Sequence, residues 1–404
     1  MLRKYLPAYL ILFGFFMRAF SGEVDHISYK FQYYDDNNDV NIISNTTSIS
    51  KGLGEHVRVN LSYLVDGITG ASRNDDRGAI DGITSASQTD ERRHEVKGGL
   101  TVNFDWLLLF NKEKETEDPM FITVTGINSQ EDDYTSRTIS AAISQDLFQR
   151  NTTIGASYTK SFDDYDPAER FVPGATDEGW DYIGGGKRET DRISASITQG
   201  ITTTTIASVI WGYVFDRGYL SRPYYVYSIG DQWYHENLPP ERKIMTVTGR
   251  LNQYIPTSNG TAAHLDYRVY FDSWDIMSHT VSLKFYYRPA EKFIINPSYR
   301  FYTQNSAFFY QDVYSSVPTY LTTDFKFREC ITNTIGLNLI YEVKDLFKPE
   351  DAPFFSLFPV NFNIAANYMM RTGTNVPQVI EDHYSYWGDR YQNFWIQTGI
   401  KLSF

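Results

Sequence analysis

The chain contains one cysteine, Cys330. A lone thiol cannot close an intramolecular disulfide, and it excludes Cys-rich metal sites, iron–sulfur clusters and a Cys-x-x-Cys-His haem attachment. Apolar runs are almost as scarce. Mean hydropathy is −0.39 and the one long apolar run spans residues 5–17, so a bundle of membrane helices is excluded. Positive charge is in deficit: the net charge is −12 at pH 7, which argues against nucleic acid as a partner. From residue 26 onward no helical period is sustained.

Aromatic residues are abundant instead. The chain holds 31 Tyr and 27 Phe, the residues that outer-membrane barrels place in interfacial girdles. Arg3 and Lys4 precede the apolar run, and Ala19, Phe20 and Ser21 follow it with small residues at the cleavage positions. This predicts a secretory signal peptide over residues 1–21, too short and wrongly flanked for a spanning helix. No cysteine follows the expected cut, which disfavours a lipoprotein anchor. Residues 22–404 are then expected to form one domain.

That domain reads as strands. Apolar and polar residues alternate over 26–34, 41–51, 55–65, 93–104, 119–129, 135–147, 151–162, 191–200, 204–215, 243–254, 261–272, 276–288, 292–304, 330–343, 357–371 and 390–404. Each is about ten residues or more, the length a tilted membrane strand needs. Short connections such as 52–54, 148–150, 201–203 and 289–291 alternate with long ones such as 66–92, 163–190, 216–242, 305–329 and 372–389. Short periplasmic turns opposite long outer loops are the asymmetry of an outer-membrane barrel. The expected fold is therefore all-β: a single transmembrane, antiparallel, up-and-down β-barrel of about 16 strands, with both termini in the periplasm.

One face of each strand is apolar, and the other should line the lumen. On it fall His264, Asp266, Arg268, Tyr270 and Asp272, then Lys284, Tyr286 and Arg288, then Asn296, Arg300, Tyr302 and Gln304. Lys30, Arg58, Arg93, Lys97, Arg250, Arg371 and Lys401 share the inward register, with Glu95 among the few acids. Most acids fall in the expected loops, including Asp75, Asp76, Asp163 and Asp164. The lumen thus reads as basic inside an acidic protein, a field that favours anions. His264, Asp266, Arg268, Lys284, Arg288 and Arg300 are the selectivity candidates. Inward pairs such as Arg268 with Asp266 or Asp272 could instead plug the barrel with hydrogen-bonded charges.

The final strand carries Gln397, Gly399, Leu402 and Phe404. A polar residue, a glycine two further on, and alternating apolar residues ending in an aromatic resemble the carboxy-terminal assembly signal of Gram-negative outer-membrane barrels. Further motifs are Leu265-Asp266-Tyr267-Arg268-Val269-Tyr270-Phe271-Asp272-Ser273-Trp274, Ser278-His279-Thr280 and Tyr299-Arg300-Phe301-Tyr302-Thr303-Gln304. Together with Gly218 to Tyr224 and Asp66-Gly67-Ile68-Thr69-Gly70, nearly repeated at residues 81–85, they resemble an uncharacterised family of bacterial outer-membrane proteins. That family is known only as a domain of unknown function. The resemblance implies secretion and a β-barrel, with no assigned activity.

Other constellations are thin. Asp132-Asp133 and Asp382-His383 could imitate a hydrolytic acid pair with a histidine, but such neighbours arise by composition in polar loops. Asp35, Asp36 and Asp39 are oxygen-rich yet lack the glycine and distal glutamate of a calcium loop. The sequence predicts no enzyme, no cofactor and no metal. It predicts a bacterial outer-membrane pore or substrate-specific channel for small anionic solutes. Outer-membrane lipid, lipopolysaccharide and the barrel-assembly machinery are the expected partners. The alternative is a docking barrel with a plugged lumen that anchors a periplasmic or surface partner.

Overall fold

The computed structural model describes residues 24–36, 40–54, 56–69, 82–84, 91–103, 118–166, 170–171, 180–181, 185–222, 225–229, 232–257, 259–311, 314–322, 324–343, 359–373 and 391–403. The expected leader, Phe404 and the Asp382-His383 pair lie outside these residues. Sixteen antiparallel strands close one barrel in chain order. They are β1 Val24–Asp36, β2 Asn41–Leu53, β3 Val57–Thr69, β4 Glu91–Asn103, β5 Met120–Gln130, β6 Tyr134–Leu147, β7 Thr152–Tyr165 and β8 Gly186–Thr202. The second half is β9 Thr205–Gly218, β10 Glu241–Ile255, β11 Thr261–Asp272, β12 Met277–Ala290, β13 Phe293–Gln304, β14 Cys330–Val343, β15 Val360–Gly373 and β16 Tyr391–Ser403. β16 returns to β1, in register from His26↔Ser403 to Asp36↔Asn393. Closure matters because an open sheet would leave unpaired N–H and C=O groups in lipid.

All sixteen expected strands are present. Several run further toward the long-loop end than alternation suggested. β7 reaches Tyr165 and β8 begins at Gly186, so Asp163 and Asp164 sit in a strand rather than a loop. Asp163 is buried inward and accepts from Ser136 Oγ at 2.7 Å. Asp66 likewise belongs to β3, not to the loop after it. The second copy of that motif has a different fate: Gly82–Thr84 pairs with Tyr225–Ile229, which also pairs with Gln232–His235 in a small loop sheet. Polar ends of long strands look like loops in sequence because they pass beyond the apolar belt.

The outer wall is apolar and open. Leu61, Val96, Val124, Ile139, Ile193, Val209, Leu283, Ile335, Ile364 and Ile400 are all exposed on it. An apolar surface circling the molecule is untenable in water but matches a lipid environment. Outward tyrosines satisfy their hydroxyls across strands. Tyr63 meets His94 Nδ1 and Tyr267 meets His279 Nδ1, each at 2.8 Å; Tyr299 donates to Asn333 Oδ1 at 2.7 Å. Toward the loop end of this face, Lys160 bonds Glu189 at 2.8 Å and Asp191 at 3.0 Å, and Arg217 bonds Glu189 at 2.6 Å.

A second packed body sits at the loop end. Buried Leu238, Trp274, Ile276, Ala307 and Phe309 form its core, with Leu220, Tyr270, Tyr310, Tyr320 and Phe327 against them. It is built from the β9–β10, β11–β12 and β13–β14 connections. Asp272 fixes the tight β11–β12 turn: Oδ1 accepts Trp274 N–H at 2.9 Å and Ile276 N–H at 3.0 Å. Asn305 Nδ2 donates to Asp275 O at 2.7 Å, which ties the β13 end to that turn. Asn237 and Leu321 bridge the two longer connections. Gly218 opens the first of these at φ +105°, where an added Cβ would lie 2.2 Å from Lys187 O. Only glycine suits that position.

Candidate pore lining

Cross-strand partners share a face, so the ladders decide which side chains enter the lumen. Thr248↔Arg268↔Thr280↔Tyr302 forms one inward row, and Arg250↔Asp266↔Ser282↔Arg300 the next. Asn252↔His264↔Lys284↔Ser298 follows. The six candidates therefore all lie on the inner wall, five of them within these adjacent rows. Arg288 is set apart near the end of β12. It donates to Glu291 O at 2.6 Å and to Glu342 at 3.2 Å, which ties it down at the short-turn end.

The acids do not pair as the sequence suggested. Asp266 accepts from Arg250 Nε at 2.8 Å and Asp272 from Arg242 at 2.6 Å. Both partners come from β10, directly opposite in register or one step along, whereas Arg268 lies along the same strand. Side chains two apart on a strand diverge along it while cross-strand neighbours converge. Arg268 is left exposed to the lumen with no ion pair among the described residues. Lys284 and Arg300 are in the same condition, with Arg300 stacked 5.4 Å from the Tyr302 ring. His264 packs against Tyr286 with centroids 4.7 Å apart.

The pattern extends around the wall. Lys30, Lys97, Arg192 and Lys401 face inward, are exposed, and make no ion pair among the described residues. Inward carboxylates are mostly neutralised: Asp66 by Arg93 at 2.5 Å, Asp216 by Arg188 at 3.1 Å, Glu342 by Arg288. Glu95 is an inward acid with no ion pair among the described residues, and Asp146 and Asp163 accept from the Thr153 and Ser136 hydroxyls instead. Arg188, Arg192 and Arg242 escaped the sequence reading, the first and last because their strands begin earlier than alternation showed. Gln397 and Gly399 of the expected assembly signal face inward on β16, and Leu402 faces lipid.

The packed body at the loop end covers part of this wall. Trp274 lies 4.2 Å from the inward Arg242 guanidinium, and Gln304 Nε2 donates to Lys326 O at 2.9 Å and Arg328 O at 2.7 Å. The β13–β14 connection thus folds over the mouth from β10 to β15, where Arg371 approaches Arg328 O. Behind it, Glu236 accepts from Thr322 Oγ1 and from Arg222 N–H, both at 2.6 Å. Burial lifts the Glu236 carboxyl to about 7, aided by the charge of Asp324 and opposed by Arg222. Among the described residues no cluster of His, Cys, Asp and Glu could hold a metal ion, and Asp132 and Asp133 sit at the β5–β6 hairpin tip.

A family model described as "Protein of unknown function (DUF3570)" matches residues 17–350. No curated protein matches the sequence. Among solved structures, one described as a bacterial polysaccharide outer membrane secretin is 8% identical, covering 94% of this chain and 98% of that one, with a TM-score of 0.49. OccD3 (OpdP) of Pseudomonas aeruginosa is 9% identical, with 95% and 92% covered and a TM-score of 0.37. The siderophore receptor PirA of Acinetobacter baumannii is 11% identical with a TM-score of 0.42; the match covers 87% of this chain but 53% of the receptor. The cargo of these proteins does not transfer to this chain at such distances.

Proposed function

This chain belongs to the family described as protein of unknown function DUF3570, and on that premise we propose that it is an outer-membrane pore selective for small anions. The observation that carries the reading is the set of lumen-exposed lysines and arginines without ion pairs among the described residues, against inward acids of which the larger part is paired with a cation. A sixteen-stranded barrel is wide enough to leave an aqueous path. Exposed cations along a low-dielectric wall lower the barrier for anions and raise it for cations. The termini would then lie in the periplasm and the packed body at the cell surface. Barrel-assembly machinery, lipid and lipopolysaccharide are the partners such a location requires.

The packed body favours a second reading, in which a filled mouth makes the barrel a docking platform for a periplasmic or surface protein. The two part company on charge. Replacing Arg268 and Arg300 by glutamine leaves the packed body untouched, so a docking barrel would show no change in ion flux. In a pore, the double variant is expected to lower the anion-to-cation permeability ratio severalfold, read from reversal potentials in planar bilayers. An unchanged ratio would mean that these charges do not face the conducting path.

A further inference from the structure

The inner wall of β1–β4 holds a recess. Two inward rows build it. Gln32↔Ser44↔Asp66↔Arg93 is one, and Lys30↔Thr46↔Leu64 is the next. Short hydroxyl side chains on β2 form its floor, while longer ones on β1, β3 and β4 form its sides. The resulting volume is about 240 Å³.

Its chemistry is specific. Lys30 is exposed and has no ion pair among the described residues. Arg93 is shared between Asp66 at 2.5 Å and Glu131 at 4.0 Å, and its Nε has no hydrogen-bond partner. Asp66 is 4% exposed, and its Oδ1 is likewise unpartnered. Arg93 is thus held by two carboxylates, and Lys30 is the lining cation that no acid pairs among the described residues. Leu64 stands in register between Thr46 and Glu95, so the unpaired Glu95 carboxylate does not line it. Around that charge are the amide of Gln32 and the hydroxyls of Ser44 and Thr46, groups that both donate and accept.

We propose that this recess binds one small carboxylate bearing hydroxyl groups, with the carboxylate at Lys30 and the hydroxyls over Ser44, Thr46 and Gln32. A single anionic group pairs with the one unpaired cation, Lys30, and hydroxyls match a floor of mixed donors and acceptors better than apolar carbon does. The proposal rests on the reading of the lumen as an anion path, because it names what that path holds. A phosphate dianion would bring a second charge beside Asp66 with no unpaired cation to meet it, and an apolar acid would leave the floor unsatisfied.

Titration calorimetry on the full-length protein in detergent, with sodium gluconate and sodium acetate as probes, tests it without requiring conduction. Gluconate is expected to bind roughly tenfold more tightly than acetate, the worth of one or two hydrogen bonds. Thr46→Val should erase most of that difference, and Lys30→Met should weaken both anions by roughly tenfold. Equal affinities for the two probes, or a Lys30→Met protein that binds gluconate as before, would overturn the proposal. Gluconate binding that depends on Lys30 in a barrel that carries no current would keep the recess and discard the pore.

Discussion

Replacing Trp274 with alanine is expected to raise single-channel conductance while leaving the barrel closed. The indole is 3% exposed and packs edge-on against Phe309 at 5.2 Å and Phe327 at 5.5 Å. Its face covers Arg242, and its Nε1 donates to Glu241 O at 3.0 Å. Removing a buried tryptophan costs about 3–5 kcal/mol, comparable to the whole stability of so small a core. None of that loss falls on the ladders, which pair each barrel strand with both neighbours. The mouth would therefore open while the wall stays folded. Heat-modifiable migration on gels should be retained and amide protection of Ala307, Phe308, Tyr310 and Leu321 lost. A variant with wild-type conductance and full protection there would show that the packed body does not gate the path.

The second large effect is on pH. Glu236 holds its proton up to about 7 in the packed body, whereas a free carboxyl releases it near 4.5. Between those values the folded body binds more protons than the loosened one, so its stability falls as pH rises. Its contribution is complete below the free carboxyl's range and is lost by neutrality, a change of roughly 3 kcal/mol. Asp324 adds repulsion to the ionised form, Tyr219 lies close by, and Arg222 offsets part of the cost. Conductance is thus expected to increase from pH 5 to pH 8. Glu236→Gln can accept the Arg222 N–H on its amide oxygen and donate its Nε2 to the Thr322 hydroxyl, but it cannot ionise, so its profile should be flat. Parallel profiles for the two proteins would locate the titration elsewhere.

Much of this was legible in the sequence, because a membrane barrel writes its register in alternation. Leu265, Tyr267 and Phe271 against His264, Asp266 and Arg268 already assign lipid and lumen, and the closed ladder keeps that assignment on every strand. Partner choice was not legible. Asp272 pairs with Arg242 rather than Arg268 because the β10–β11 register brings them together, and register across a turn leaves no mark in one strand. The packed body escaped for another reason. Trp274, Ala307 and Phe309 come from separate connections without period, so nothing local announces their meeting. The motifs around them carry the family resemblance. The structure supplies their physical reason: Asp272, Gln304 and Asn305 hold the connections in place. Phe404 lies outside the described residues, and its expected role in assembly rests on the sequence pattern alone.

Reversal potential in a planar bilayer under a KCl gradient tests the central claim most directly. A lumen lined by Lys30, Lys97, Arg192, Arg268, Lys284, Arg300 and Lys401 should give a potential of the sign set by the chloride gradient. A potential of the sign set by potassium, or a reconstituted barrel that passes no current, would contradict the account.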